Sequence, residues 1–354
     1  MKKNKDQVSL IGVRFPAEWE KHEATLIAWP HNKNDWPGKF TPIHWVYAEI
    51  VKRLSYSEKV FIVIQSVKQR EFILGVLKKN YADTNNVEFI LRDTDRSWMR
   101  DSAPAIVSNI AGERIAVHFR FNGWAKYDNW KKDYKVPSSV AGKLKVPVVK
   151  AEYNGRHVVL EGGGIDGNGY GTMLTTEECL LDPVTQIRNP GFTKTDYENV
   201  FREYLGIQQI IWLGKGIDGD DTHGHIDDLA RFVNKNTILL CSEKNEYDAN
   251  YKNLKENEER LQGVKLANGE RINVIPLPMP EPLWFDGMRL PASYANFYIA
   301  NNVVLVPTFN DPNDKEALGI ISEVFPDRKV VGINSVDLVW GLGTLHCLSH
   351  EIPA

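Results

Sequence analysis

Five side chains, scattered over most of a 354-residue chain, are of types that could share one reaction. Cys347 ends the run Gly341-Leu342-Gly343-Thr344-Leu345-His346-Cys347, and Asp101 ends Trp98-Met99-Arg100-Asp101. Glu161 opens Glu161-Gly162-Gly163-Gly164, while His225 and Asp227 sit two apart in Asp221-Thr222-His223-Gly224-His225-Ile226-Asp227-Asp228. Cysteine is the strongest ordinary side-chain nucleophile near neutral pH once its thiolate is stabilised. An imidazole beside it can carry protons, and carboxylates attract a cation. The expected chemistry is attack of Cys347 on a cationic substrate, with the carboxylates and His225 brought to it by the fold. Glycines ahead of Cys347 permit positive φ and close approach of a ligand, which suits a thiol at the mouth of a buried strand.

Each residue also has a plainer reading. Cys347 could be a small buried hydrophobe. Arg100 and Asp101 could form a surface ion pair. Glu161 and its glycines could be a turn, although a carboxylate inside an apolar strand wants a partner. His225 and Asp227 could be a structural pair, since a strand would point both to one face. Asp228, Cys179 and Cys241 read as structural or solvated. A rival chemistry takes His223, His225 and Asp227, with Asp220 and Asp221, as ligands for manganese or zinc that makes hydroxide from water. That reading leaves Glu161 and Cys347 without roles, so the sequence predicts no metal and no cofactor. A non-catalytic binding relative would lack the nucleophile, which is present here. Of the ten tryptophans, most read as packing, with one or two facing a pocket where an aromatic face attracts a cation.

The elements that must position these residues recur in order. Strands are predicted over 24–30, 60–64 and 87–91, with helices over 41–54 and 67–79 between them. Hairpins follow at 103–109 with 114–121, 158–164 with 172–175, 225–233 with 237–242, and 293–300 with 303–307. Helices are predicted to 144, over 193–205 with Thr193 as N-cap, over 250–262 and over 314–325. Strands at 209–213, 272–277 and 330–333 complete the pattern. The unit is hairpin, helix, strand, at intervals of roughly 55 to 70 residues. The 24–30 strand and the terminal 345–348 segment have no local partners, and pairing them completes a fifth hairpin and closes a ring. Asp101, Glu161, His225, Asp227 and Cys347 then lie at one end of each unit, where they converge. No linker or low-complexity run interrupts this, so the expectation is one closed α/β domain spanning 1–354.

Composition fits a soluble globular protein, at 42% hydrophobic and 25% charged residues. A formal charge of -3 gives no reason to expect nucleic acid or an anionic membrane as partner. Three cysteines far apart, without a CxxC, argue for a reducing compartment. The basic start Met1 to Asp6 leads into no apolar region of the signal-peptide kind, so a cytoplasmic location is expected.

Taken together the motifs resemble the agmatine deiminase family, among the guanidino-group-modifying enzymes that include bacterial-type peptidylarginine deiminase. Phe15-Pro16-Ala17-Glu18-Trp19-Glu20-Lys21-His22-Glu23-Ala24, Ala28-Trp29-Pro30 and Phe121-Asn122-Gly123-Trp124 carry the resemblance beside the runs quoted above. It implies a pentein fold, a five-bladed pseudo-symmetric α/β propeller of ββαβ units, often dimeric or larger. It implies Cys347 as nucleophile, His225 as general acid/base, Asp101 and Asp227 holding a guanidinium, and Glu161 orienting His225. The substrate implied first is agmatine, converted to N-carbamoylputrescine and ammonia, with peptidyl or free arginine as the alternative. Trp98, Trp124, Asp221 and Gly343 are the candidate substrate-binding residues. The chain departs from the family pattern at Asp221-Thr222-His223, at Ser102-Ala103-Pro104 and at Leu342 and Thr344, which changes pocket walls and leaves the catalytic set intact.

Overall fold

The structure is a computed structural model that describes residues 9–354; the basic start Met1 to Asp6 lies outside the described residues. Five sheets share one topology: an antiparallel pair whose second strand also pairs, in parallel, with a strand reached through a helix. In the second unit Ala105–Ser108 pairs with Arg114–His118, which is followed by the helix Val136–Leu144 and the parallel strand Val148–Lys150. The units at Asp166–Gly167 with Thr172–Thr176, Ala230–Asn234 with Thr237–Ser242, and Tyr298–Ile299 with Val303–Thr308 repeat it. Their parallel partners are Gln209–Leu213, Asn273–Pro278 and Lys329–Asn334. A parallel pair needs a crossover, and the apolar face of that crossover helix covers the sheet. The helix Lys194–Leu205 shows the local logic: Thr193 and Asp196 form a reciprocal capping box, Gly206 ends it at φ 70°, and Tyr197, Val200, Phe201, Tyr204 and Leu205 are buried.

The first sheet spans both ends of the chain. His22–Ala28 pairs in parallel with Lys59–Ile64, and Lys59–Ile64 with Val87–Leu91. On its other edge His22–Ala28 pairs antiparallel with Ser349–Pro353, Leu26 opposite His350. Nearly every residue of His22–Ala28 is buried, as expected of a strand paired on both edges and covered on its faces. No helix among the described residues is long and apolar enough to cross a membrane.

Two predicted strands are shorter than expected and two are not strands at all, and each change falls on a residue of the site. The 158–164 segment supplies no strand; Glu161 precedes a 3-10 turn, Gly162–Gly164, and only Asp166–Gly167 joins Thr172–Thr176. Three glycines give a ladder no side chains to pack, and the turn closes its own bonds, Gly164 N–H to Glu161 O at 3.1 Å. His225 and Asp227 lie at a second 3-10 turn, Ile226–Asp228, because the Asp220 carboxylate takes the N–H groups of Gly224 and His225 at 2.8 and 2.9 Å. The strand begins only at Ala230. Of 293–300, only Tyr298–Ile299 is strand. Cys347 is not on a strand either: Leu345–Leu348 is a helical turn, and the strand that pairs with His22–Ala28 is the next segment, Ser349–Pro353.

Candidate active site

A short turn precedes the first strand of each antiparallel pair, and these turns touch one another. Met99–Ser102 presents Asp101, Gly162–Gly164 follows Glu161, Ile226–Asp228 carries Asp227 next to His225, and Leu345–Leu348 carries Cys347. The fifth unit has its own contribution, Asn296, two residues before Tyr298–Ile299. The structure therefore brings all five sequence-selected residues together. All are buried, with Glu161 and Asp227 at 0% exposure and Cys347 at 6%.

His225 is the centre. Its Nδ1 lies 3.9 Å from Asp101 Oδ1 and 3.8 Å from Asp227 Oδ1, and its Nε2 lies 3.9 Å from Glu161 Oε2. Neither ring nitrogen has a hydrogen-bond partner among the described residues. Burial alone would lower the ring's proton affinity, but Asp101, Cys179 and Glu161 outweigh it and hold His225 well above its ordinary value. Cys179, read as structural from the sequence, thus lies beside this ring; Glu161, Cys179 and His225 have ligand atoms within 4.8 Å of one another.

Asp101 accepts from the Trp124 indole N–H and from the Gly163 N–H, both at 2.9 Å. Burial, with Asp227 and Glu161 nearby and only partly offset by His225, pushes its carboxyl up to about 6. Glu161 is held as an anion: burial opposes this, but Arg188 Nε lies 3.2 and 3.3 Å from its two oxygens and brings its value down. Asp227 is likewise lowered against the cost of burial, chiefly by His346, whose Nδ1 is 2.7 Å from Asp227 Oδ2.

Cys347 Sγ lies 3.7 Å from Asp227 Oδ2 and receives the Asn296 Nδ2 donor at 3.0 Å. Asn296 Oδ1 binds the Thr344 hydroxyl at 2.8 Å and the N–H groups of His346 and Cys347 at 3.0 and 3.3 Å, which fixes the nucleophile turn. Burial, then Asp227, Asp228 and Asp101, push the Cys347 thiol well above its ordinary value.

Cys347 and Asp101 face a cleft of about 320 Å³ lined by Trp98, Trp124, Tyr127, Phe285, Trp340 and Leu342, with Asp35 and Asp221 among them. Trp98, Trp124 and Asp221 thus line it, and the Asp221 carboxylate is bound by Lys126 and by the Tyr127 hydroxyl at 2.5 and 2.7 Å. Gly343 sits against the nucleophile, where a Cβ would lie 3.1 Å from Cys347 Cβ and 3.0 Å from Trp98. Leu342 adopts φ 65°, a left-handed conformation normally given to glycine.

The proposed metal ligands do not gather. His223 turns at φ 65° to place Nε2 2.9 Å from Asp182, and Asp220 is spent on backbone N–H groups and on Thr222. Two other three-member groups among the described residues have ligand atoms close enough for an ion, Glu161 with Cys179 and His225, and Asp227 with Asp228 and Cys347. In each a carboxylate is already committed, Glu161 to Arg188 and Asp228 to Asn296.

Asn296, His346 and Cys179 are the site residues that sequence reasoning did not select. Asn296 had a positional signal, since it falls inside the first predicted strand of its hairpin, 293–300, as Glu161 and His225 fall inside theirs, 158–164 and 225–233.

The chain is similar over nearly its whole length to several known proteins. Agmatine deiminase of Enterococcus faecalis superposes with a TM-score of 0.87 at 29% identity, covering 97% of this chain and 96% of that one. A cysteine-to-serine variant of the C. jejuni agmatine deiminase with substrate bound gives 0.85 at 34% identity, over the same shares. A Latilactobacillus sakei protein provisionally assigned as an agmatine deiminase is 32% identical over 97% of this chain and 96% of its own length. The family model for Porphyromonas-type peptidyl-arginine deiminase matches residues 14–353, nearly the whole described chain, and the chain belongs to that family.

Proposed function

We propose that this protein hydrolyses the guanidinium of agmatine to N-carbamoylputrescine and ammonia through a covalent intermediate on Cys347. The observation that carries the reading is the meeting of one thiol, one imidazole and three carboxylates at the floor of an aromatic cleft. Agmatine deiminases among the relatives support the choice of substrate. A guanidinium is planar, always protonated and offers paired N–H donors that match carboxylates. Asp101 and Asp227 would hold it, keeping its carbon electrophilic and facing Sγ.

In the proposed sequence the substrate cation offsets the carboxylates that oppose ionisation of Cys347, so binding releases the thiolate where it is needed. The thiolate adds to the guanidinium carbon. The C–N bond to an amino group breaks as His225 supplies the proton that lets it leave as ammonia. An amidino-thioether remains. Water then gives a proton to His225 and attacks the same carbon, and the thiolate departs with the C–S electron pair. The proton left on the new hydroxyl passes to the departing sulfur, giving a neutral ureido group and the free thiol of Cys347. Proton transfer by a placed imidazole contributes about 10² to 10⁴ in rate.

The cleft favours a substrate without a carboxylate. Among the described residues lining it, Arg96 is the one cation, and its guanidinium already meets Asp35 at 3.0 Å and stacks over Tyr127 at 4.2 Å. A carboxylate entering there would meet Asp35 and Asp221. This ranks agmatine ahead of free or peptidyl arginine. Incubation with agmatine, arginine and an arginyl peptide, with ammonia and ureido groups measured, tests the ranking; preferred turnover of arginine would replace it. Stoichiometric manganese or zinc required for turnover would end the thiol mechanism.

The same reading has the five sheets close around one axis as a five-bladed propeller forming a single domain, in a cytoplasmic homodimer or larger homo-oligomer. Low-resolution imaging of particle symmetry and light scattering in solution test those points.

A further inference from the structure

His346 and Glu18 belong to motifs that the mechanism above leaves unused. Both are buried, at 1% and 7% exposure. The two nitrogens of His346 face two carboxylates: Nδ1 lies 2.7 Å from Asp227 Oδ2, and Nε2 lies 2.7 Å from Glu18 Oε2. Behind Glu18 stands a cationic wall. Its Oε2 is 3.2 Å from Arg100 and 2.9 Å from Arg231, and its Oε1 takes the Ile299 N–H at 2.7 Å. Arg100 and Arg231 are themselves held, by Glu351 at 2.7 Å and Asp166 at 2.9 Å. These residues come from six different segments of the chain, and the array ends at Asp227, whose Oδ2 lies 3.7 Å from the cleft-facing thiol.

We propose that Glu18 and His346 are positioning residues for the deiminase reaction, forming a carboxylate–imidazole–carboxylate chain that fixes Asp227 for the substrate guanidinium. The inference rests on the deiminase reading and deepens it. Asp227 Oδ1 has no hydrogen-bond partner among the described residues, while Oδ2 is bound by His346. One oxygen is thus anchored from behind and the other is free to take a guanidinium N–H. A carboxylate anchored on one oxygen cannot rotate about its Cβ–Cγ bond without losing that bond, so the angle at which it meets a planar cation is set before binding. Glu18 does the same for the ring, since an imidazole bonded at both nitrogens cannot flip. Misplacement of a reacting group by about 1 Å can cost 10²-fold in rate.

Two substitutions separate positioning from mere packing. His346→Asn keeps an amide N–H near the Nδ1 position and gives up the reach to Glu18. His346→Gln reaches Glu18 and gives up the donor to Asp227. The expected result is kcat/KM for agmatine within about tenfold of wild type in the asparagine variant and down about 10²-fold in the glutamine variant, with similar melting temperatures. Equal losses in both variants, or a glutamine variant with wild-type kcat/KM, would overturn the proposal. Should either variant fail to fold, ¹⁵N-histidine spectra of Cys347→Ser supply the test. Saturating agmatine should shift the His346 Nδ1 resonance, because a guanidinium on Asp227 competes for the same carboxylate. Agmatine that binds by calorimetry and leaves that resonance unmoved overturns the positioning role alone. Agmatine that neither binds nor is turned over overturns the deiminase reading, and this inference with it.

Discussion

At the scale of single residues, the site is built to need its substrate. Buried carboxylates beside a buried thiol oppose its ionisation, and the donor that favours it, Asn296, is outweighed. A cation that lies between Sγ and the carboxylates reverses the electrostatic part of that balance. It follows that free protein should react slowly with iodoacetamide at neutral pH. Asp101, pushed up to about 6, gives a signed pH dependence. Its folded value is raised, so below about 6 it takes up a proton and loses its attraction for guanidinium. The predicted kcat/KM profile for agmatine therefore has an acid limb near pH 6, and a profile flat between pH 5 and 7 would contradict the role given to Asp101. The five titratable residues were legible in the sequence because their types are chemically unusual where they stand. Asn296 and His346 were not, since an amide or an imidazole is common and their importance lies in contacts with residues 51 and 119 positions away.

At the scale of elements, function sits in turns and the strands behind them carry the load. The sequence pattern puts His225, Asp227, Glu161 and Cys347 on strands because His-Ile-Asp mimics a period of two and because 345–348, like the 24–30 strand, has no local partner. What overrides that pattern is local bonding that periodicity does not reveal: Asp220 seizing two backbone N–H groups, and Asn296 holding the Cys347 turn. Strand pairs and helices away from the site, such as Val67–Lys79, Val87–Leu91 and Gln209–Leu213, were fully legible. Gly163 shows how tightly the turns meet. A Cβ there would lie 2.6 Å from His225 Nδ1 and 2.9 Å from Asp101 Oδ1, far inside contact distance. Gly163→Ala is expected to destabilise the fold by about 1–3 kcal/mol and to depress kcat far more than a surface glycine change. Thermal melts and ammonia release measure both, and an alanine variant with wild-type kcat would show that the turn has room.

At the scale of the molecule, both chain ends share one sheet, and that junction positions the nucleophile. Ser349–Pro353 follows Cys347 directly and locks onto His22–Ala28. The pairing of these ends was legible because neither had a local partner. The register was not, and the terminal strand proved to lie one segment later. His350, in that strand, has its ordinary value of 6.5 lowered to about 4 by burial, with Arg100 nearby and Glu351 opposing, and it faces the Pro104 carbonyl at 3.0 Å. A lowered histidine contributes stability that is present above about 6.5 and lost as pH falls through about 4. Melting temperature should drop over that interval, and less steeply in His350→Gln; parallel curves would show that the acid loss arises elsewhere. All of these contacts serve one claim, that residues spread across five units meet around a single guanidinium with sulfur poised to attack it. Acid quenching of protein mixed with agmatine, followed by peptide mass analysis, tests this most directly. The predicted result is an amidino adduct on the peptide carrying Cys347, absent in Cys347→Ala, which should bind agmatine without releasing ammonia. Steady ammonia release by the alanine variant, or turnover with an adduct on another residue, would contradict the account.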